Sequence, residues 1–114
     1  KINYKDYYSK EQNINFNELE QILLDFKLET FQNESNFILI YLPSSETFIK
    51  KNDNRKNYER LVKIVNKHEI NFIDFRNLFI QKKPLEYFSK KNGNFGHYNI
   101  SGYEFIARKI LNEN

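Results

Sequence analysis

The run Asn36-Phe37-Ile38-Leu39-Ile40-Tyr41-Leu42-Pro43, NFILIYLP, decides how this chain folds. From Phe37 to Leu42 the residues are apolar without interruption, and Pro43 closes the run. A strand with one wet face alternates apolar and polar residues, whereas a strand covered on both faces does not. The run therefore predicts a strand inside a parallel sheet. Proline has no N–H to give to a ladder, so the strand stops at Pro43.

Helical patterns lie on either side. In NFNELEQILLDFKLETF, Leu19, Ile22, Leu23 and Phe26 recur at i, i+3, i+4 and i+7, the apolar face of a helix that Asn15 or Asn17 can cap. The lead-in KINYKDYYSKEQNI has no period and reads as irregular, with Tyr4, Tyr7 and Tyr8 packing on that helix. After the polar stretch SSETFIKKNDNRK, the segment NYERLVKIVNKH offers Tyr58, Leu61, Val62 and Val65 as a second helical face. INFIDF is a shorter strand interrupted by Asp74 near its end, and a helical turn is expected at Arg76 to Phe79, before Pro84. Ser101 and Glu104 have the spacing of a capping box, opening a last helix whose buried face is Tyr103, Ile106, Ala107, Ile110 and Leu111.

The order helix, strand, helix, strand, loop, helix is βα alternation, which argues for an α/β domain with a parallel sheet. The chain of 114 residues reads as a single domain, 1–114. Two strands make a small sheet, and the chain begins with Lys1 rather than Met, so it is expected to be part of a larger sheet. Only 39% of residues are hydrophobic, but 17% are aromatic, so an aromatic-rich core is expected.

A net charge of +3, with basic doublets at Lys50-Lys51, Arg55-Lys56, Lys82-Lys83 and Lys90-Lys91 scattered between elements, argues against nucleic acid as a partner. No apolar run is long enough for a membrane span, and no signal peptide is visible. With no cysteine and two distant histidines there is no basis for a zinc site, so no metal or cofactor is expected.

Ligands of open α/β sheets bind beyond the carboxyl ends of the strands. Three segments emerge there: Pro43-Ser44-Ser45, Asp74, and the loop leading to His97. All three glycines of the chain lie at Gly93, Gly96 and Gly102, around His97. Gly93 and Gly96 let that loop fold back and aim the imidazole. A histidine so placed can take a proton from a serine hydroxyl and return it to a leaving group. Simpler roles stand beside these. Loop serines after proline form turns, Asp74 caps the turn after its strand, and His68 at a helix end favours the dipole and solvent.

Read in order, NFILIYLPSSETF, INFIDFRNLF, PLEYF and FGHYNISGYEFIARKIL resemble the C-terminal half of the SGNH/GDSL hydrolase superfamily. The resemblance is to the branch related to carbohydrate O-acetyl esterases and acetyltransferases, and it covers roughly residues 37 to 112. In that family one late strand ends in Pro-Ser or Pro-Thr and another in Ile-Asp. A catalytic His then opens the last helix in a segment His-(Tyr/Trp/Pro)-Asn-x-x-Gly-(Tyr/His). His97-Tyr98-Asn99-Ile100-Ser101-Gly102-Tyr103 is a close match.

The resemblance implies a flavodoxin-like three-layer α/β/α fold, of which only the C-terminal part of the sheet would be present. It implies a serine esterase or acyltransferase acting on an O-acylated carbohydrate or other carboxylic ester, with His97 as general base and then general acid. Asn94 stands where the family places its acid, and Tyr98 and Ser44 are expected to meet the substrate. The family's Gly-Asp-Ser motif is absent; the Asn52-Asp53 pair falls after the late strand, not in the Gly-x-Asn-Asp segment that should precede it. The nucleophile is thus expected outside this chain, in the N-terminal part of the same protein, and this chain alone is expected to be inactive. The resemblance favours an extracytoplasmic or membrane-associated setting. The alternative is a non-catalytic module of the same fold that binds a glycan or a protein; a flavodoxin-like regulatory domain is disfavoured, since no early acidic cluster or phosphate loop is present.

Overall fold

The computed structural model describes residues 14–49 and 55–113. Tyr4, Tyr7 and Tyr8, the Lys50-Lys51 doublet and the Asn52-Asp53 pair lie outside the described residues. The elements are α1 (Phe16–Gln32), β1 (Ile38–Tyr41), a 3₁₀ turn (Ser45–Phe48), α2 (Arg55–Lys67), β2 (Asn71–Asp74) and α3 (Phe75–Ile80). A second 3₁₀ turn (Pro84–Tyr87), β3 (Phe88–Lys91), β4 (Asn94–Tyr98) and α4 (Ile100–Glu113) complete them. The class is mixed α/β: β1 and β2 form a short parallel pair, and β3 and β4 form a second two-stranded sheet.

The chain divides into two compact units, the first spanning 1–38 and 54–71 and the second 39–53 and 72–114. In the first, Asn15 caps α1, its side chain accepting from Glu18 N at 3.1 Å. Phe16 and Leu23 of α1 and Ile64 and Val65 of α2 are buried. The apolar face of α1 is narrower than its period suggests: Ile22 and Phe26 are 44% and 53% exposed. Phe26 stacks on the ring of Phe37 at 6.1 Å.

The core of the second unit is aromatic. Phe75 and Phe79, on successive turns of α3, are 0% exposed. Asp74 starts α3 by accepting from Arg76 N and Asn77 N at 2.9 and 3.3 Å, the capping role expected of a carboxylate at a strand end. Around these rings gather Phe48, Tyr87, Phe88, Tyr98 and Phe105, with centroids 5.0 to 6.4 Å from Phe79. Edge-to-face and tilted pairs predominate, the arrangement that ring quadrupoles favour.

Three details differ from the sequence-based expectations. Residues Ile38–Tyr41 are all half-buried rather than enclosed on both faces, because among the described residues only β2 lies beside β1 in its sheet. The segment before His97 is a strand of a hairpin, not a loop. Finally, α4 begins at Ile100, so Ser101 is inside the helix and the Ser101–Glu104 capping box does not start it. Asn99 caps α4 instead: its Oδ1 accepts from Gly102 N at 2.9 Å and its carbonyl from Tyr103 N at 3.0 Å.

The buried face of α4 turns with this start. Ile106 is buried and Phe105 makes edge contacts with Phe75 and Phe79, while Tyr103, Ala107 and Leu111 are exposed. Gly102 faces inward so closely that a Cβ there would meet the Tyr87 carbonyl oxygen at 2.4 Å. The glycine is therefore required by close packing of α4 on the Pro84–Tyr87 turn.

Candidate functional site

The site builds from the hairpin that carries His97. Asn92 and Gly93 have φ of 54° and 79°, and Lys91 pairs with Asn94 across them. Positive φ at both turn residues is what a two-residue hairpin of right-handed twist needs, and Asn-Gly supplies it at least cost. The register then shifts. Phe88 pairs with Tyr98 and Lys90 with Phe95, so Gly96 and His97 together oppose the single residue Ser89. Such a bulge re-aims the side chains around it.

The bulge is held by Ser89 Oγ, which donates to the His97 carbonyl at 3.0 Å. His97 itself is exposed, and its imidazole makes no hydrogen bond among the described residues. Tyr98, one step along the strand, goes the other way. Its ring stacks on Phe88 at 4.5 Å and Phe79 at 5.6 Å, and its hydroxyl donates to the Pro43 carbonyl oxygen. Burial, with Tyr41 and Tyr103 nearby, pushes the Tyr98 phenol well above the usual tyrosine range.

The Tyr98–Pro43 bond joins the exit of β1 to the end of β4. It brings Tyr98 beside the segment that carries Ser44, an exposed residue preceding the Ser45–Phe48 turn. Ser45 is the buried one of the two serines, at 5% exposure. Asn94 is exposed at the far end of β4, and no hydrogen bond links it to His97 among the described residues. Of the four candidate residues, Tyr98 is hydrogen-bonded to the residue that precedes Ser44, His97 adjoins Tyr98 in the chain, and Asn94 makes no hydrogen bond to the other three among the described residues.

Asn99 is an organiser that the sequence reading passed over. Besides capping α4, its Nδ2 donates to the Glu86 and Phe88 carbonyls at 2.8 and 3.3 Å. It thereby fixes the turn from strand to helix immediately after His97-Tyr98. The available signal was an Asn two residues ahead of Ser101, equally able to cap.

A separate polar cluster lies in the first unit. His68 Nε2 is 2.6 Å from Glu20 Oε2, and Lys67 Nζ is 3.3 Å from the same oxygen. These hydrogen bonds, from His68 first and then Lys67, hold the Glu20 carboxyl below its ordinary value. Lys27 Nζ donates to the His68 carbonyl. His68 is therefore a partner of α1 and not simply a solvent-facing helix end. Only the pairing of two distant helices reveals this.

No group of three or more His, Cys, Asp or Glu among the described residues could hold a metal ion. No helix among them is long and apolar enough to cross a membrane. Comparison of the chain with protein-family models, with curated proteins and with solved structures finds no match.

Proposed function

We propose that this chain carries the histidine half of an SGNH-type serine esterase or acyltransferase acting on an O-acylated carbohydrate or another carboxylic ester. The observation that carries the reading is His97, exposed on a hairpin bulge directly before α4 and adjacent in sequence to Tyr98, whose hydroxyl is tied to the Pro43 carbonyl. In this reading β1 and β2 belong to a larger flavodoxin-like three-layer sheet, and the serine comes from outside residues 1–114.

The chemistry requires an imidazole free to move a proton. As the serine Oγ attacks the ester carbonyl, His97 takes the hydroxyl proton and then delivers it to the departing alcohol, leaving an acyl-serine. Water, or a second sugar hydroxyl, then gives its proton to His97 and attacks the acyl group, the acyl–Oγ bond breaks, and His97 returns the proton to the departing serine Oγ. Asn94 adds no negative charge to steady the imidazolium, so the serine and His97 work as a dyad, without the carboxylate that orients and steadies the imidazole in a triad.

The same absence favours a second reading, a non-catalytic module of the same fold binding a glycan or a protein. A direct test separates them. The full protein containing this chain is assayed on a small acetyl ester and an O-acetylated sugar, with and without His97→Ala. The esterase reading expects a loss of about 10²–10⁴-fold in kcat, the range of general acid–base catalysis. Activity untouched by the substitution removes His97 from the mechanism; no activity with any ester leaves the binding module.

A further inference from the structure

We propose that a cleft in the first unit, between α1 and α2, binds a small dianion, a phosphate monoester. The cleft is open to solvent, has a volume of about 300 Å³ and is lined by Arg60, Lys63 and Lys67 with Glu20, over Phe16 and Ile64. That volume lies at the low end of small-ligand clefts. The three cations sit at i, i+3 and i+7 on α2, so one helix face presents all of them to one space.

Charge decides the ligand class. Glu20 is the one carboxylate in the lining, and Lys67 together with His68 already engages it. Three cations against one carboxylate leave two positive charges uncompensated within the lining. A phosphate monoester carries a charge near −2 at neutral pH, whereas each phosphate of a nucleic-acid backbone carries −1.

Geometry adds to the count. The Arg60 guanidinium lies 4.2 Å from the Phe16 ring centroid, a stacked position. Stacking holds the fork flat and leaves its N–H edges for an anion, the arrangement suited to phosphate oxygens. Phe16 and Ile64 are buried below, so the floor is apolar and accepts the organic part of the ester. The basic doublets of the sequence are scattered, whereas these cations share one cleft.

The experiment is a titration of the full chain with phenyl phosphate at neutral pH and fixed ionic strength, followed by amide chemical shifts. Saturable binding is expected, with shifts centred on α1 and α2. Arg60→Glu and Lys63→Glu should each weaken it about tenfold or more, as loss of a charged hydrogen bond does. Lys63→Gln, which keeps most of the stem, should weaken it in the same direction. Lys91→Glu on β3 changes the net charge equally and should leave binding unchanged. Lowering the pH below about 6 protonates the monoester and should weaken binding further.

Vesicles containing phosphatidic acid form a second arm. Tighter binding to them than to phenyl phosphate identifies a lipid headgroup as the source of the monoester; weaker binding identifies a soluble one. Lack of saturation, equal weakening by Lys91→Glu, or stronger binding of a single-stranded oligonucleotide than of phenyl phosphate overturns the proposal.

Discussion

Tyr98 is the residue on which the second unit closes. Its ring joins the stack of Phe88 and Phe79, and its hydroxyl satisfies the carbonyl of Pro43, itself buried. Tyr98→Phe keeps the stack and removes the donor, leaving the Pro43 oxygen unpaired. The expected cost is about 1–3 kcal/mol, read as a lower urea midpoint with an unchanged slope. The raised phenol pKa gives the same residue a pH signature. Between the ordinary tyrosine value of 10.0 and the higher folded value, the unfolded chain loses this proton while the native state keeps it. Native stability is therefore full below the ordinary value and falls as pH rises through the folded one. Unfolding measured on the alkaline side should show a steeper loss for the natural chain than for Tyr98→Phe. Equal slopes would mean that the phenol is not shielded. The role of Tyr98 was only half visible in the sequence. Periodicity assigned Tyr103 to the core, yet Tyr103 is 57% exposed and Tyr98 is the one that packs inward.

At the scale of elements, the strong periods were legible and the junctions were not. The helices at Phe16–Gln32 and Arg55–Lys67 follow from apolar spacing, and the capping role of Asp74 follows from its place at a strand end. The hairpin was hidden because its strands, FSKK and NFGHY, are polar and short, and the bulge at Gly96-His97 breaks their alternation. Asn92-Gly93 is nonetheless a strong turn signal in the sequence, one that reading the segment as a loop around His97 leaves unused. The start of α4 shows the same competition. Ser101 and Asn99 are both good caps, and position in the sequence does not rank them. What ranks them is the pair of carbonyls, Glu86 and Phe88, that anchor the Asn99 amide. Asn99→Ala removes the cap and both anchors and should cost about 1–2 kcal/mol or more. Ser101→Ala, at an exposed position inside the helix, should be near neutral. Urea midpoints of the two variants decide the point, and a reversed ranking would restore the capping box.

For the whole molecule, the question is where the stability resides. Phe75 and Phe79 are fully enclosed by rings, whereas every residue of β1 is half-buried, although β1 comes from the most apolar run in the chain. That run reads as a strand covered on both faces, and the two-stranded sheet does not cover it. Sequence records the burial a strand is built for; only the neighbours present determine the burial it attains. The two readings make opposite demands on mutants. Phe79→Ala should cost about 3–5 kcal/mol, since it empties the centre of the aromatic cluster. In the chain of residues 1–114, Ile40→Ala should cost less than about 2 kcal/mol, because the methylenes removed are partly wet already. If β1 and β2 belong to a larger sheet, the Ile40→Ala cost must rise toward that of a fully buried isoleucine, about 2–5 kcal/mol, in a longer protein that supplies further strands. Denaturant unfolding of both lengths measures the difference. A cost that stays small in the longer protein would mean that the parallel pair is complete as it stands, and the larger-sheet proposal would fall with it.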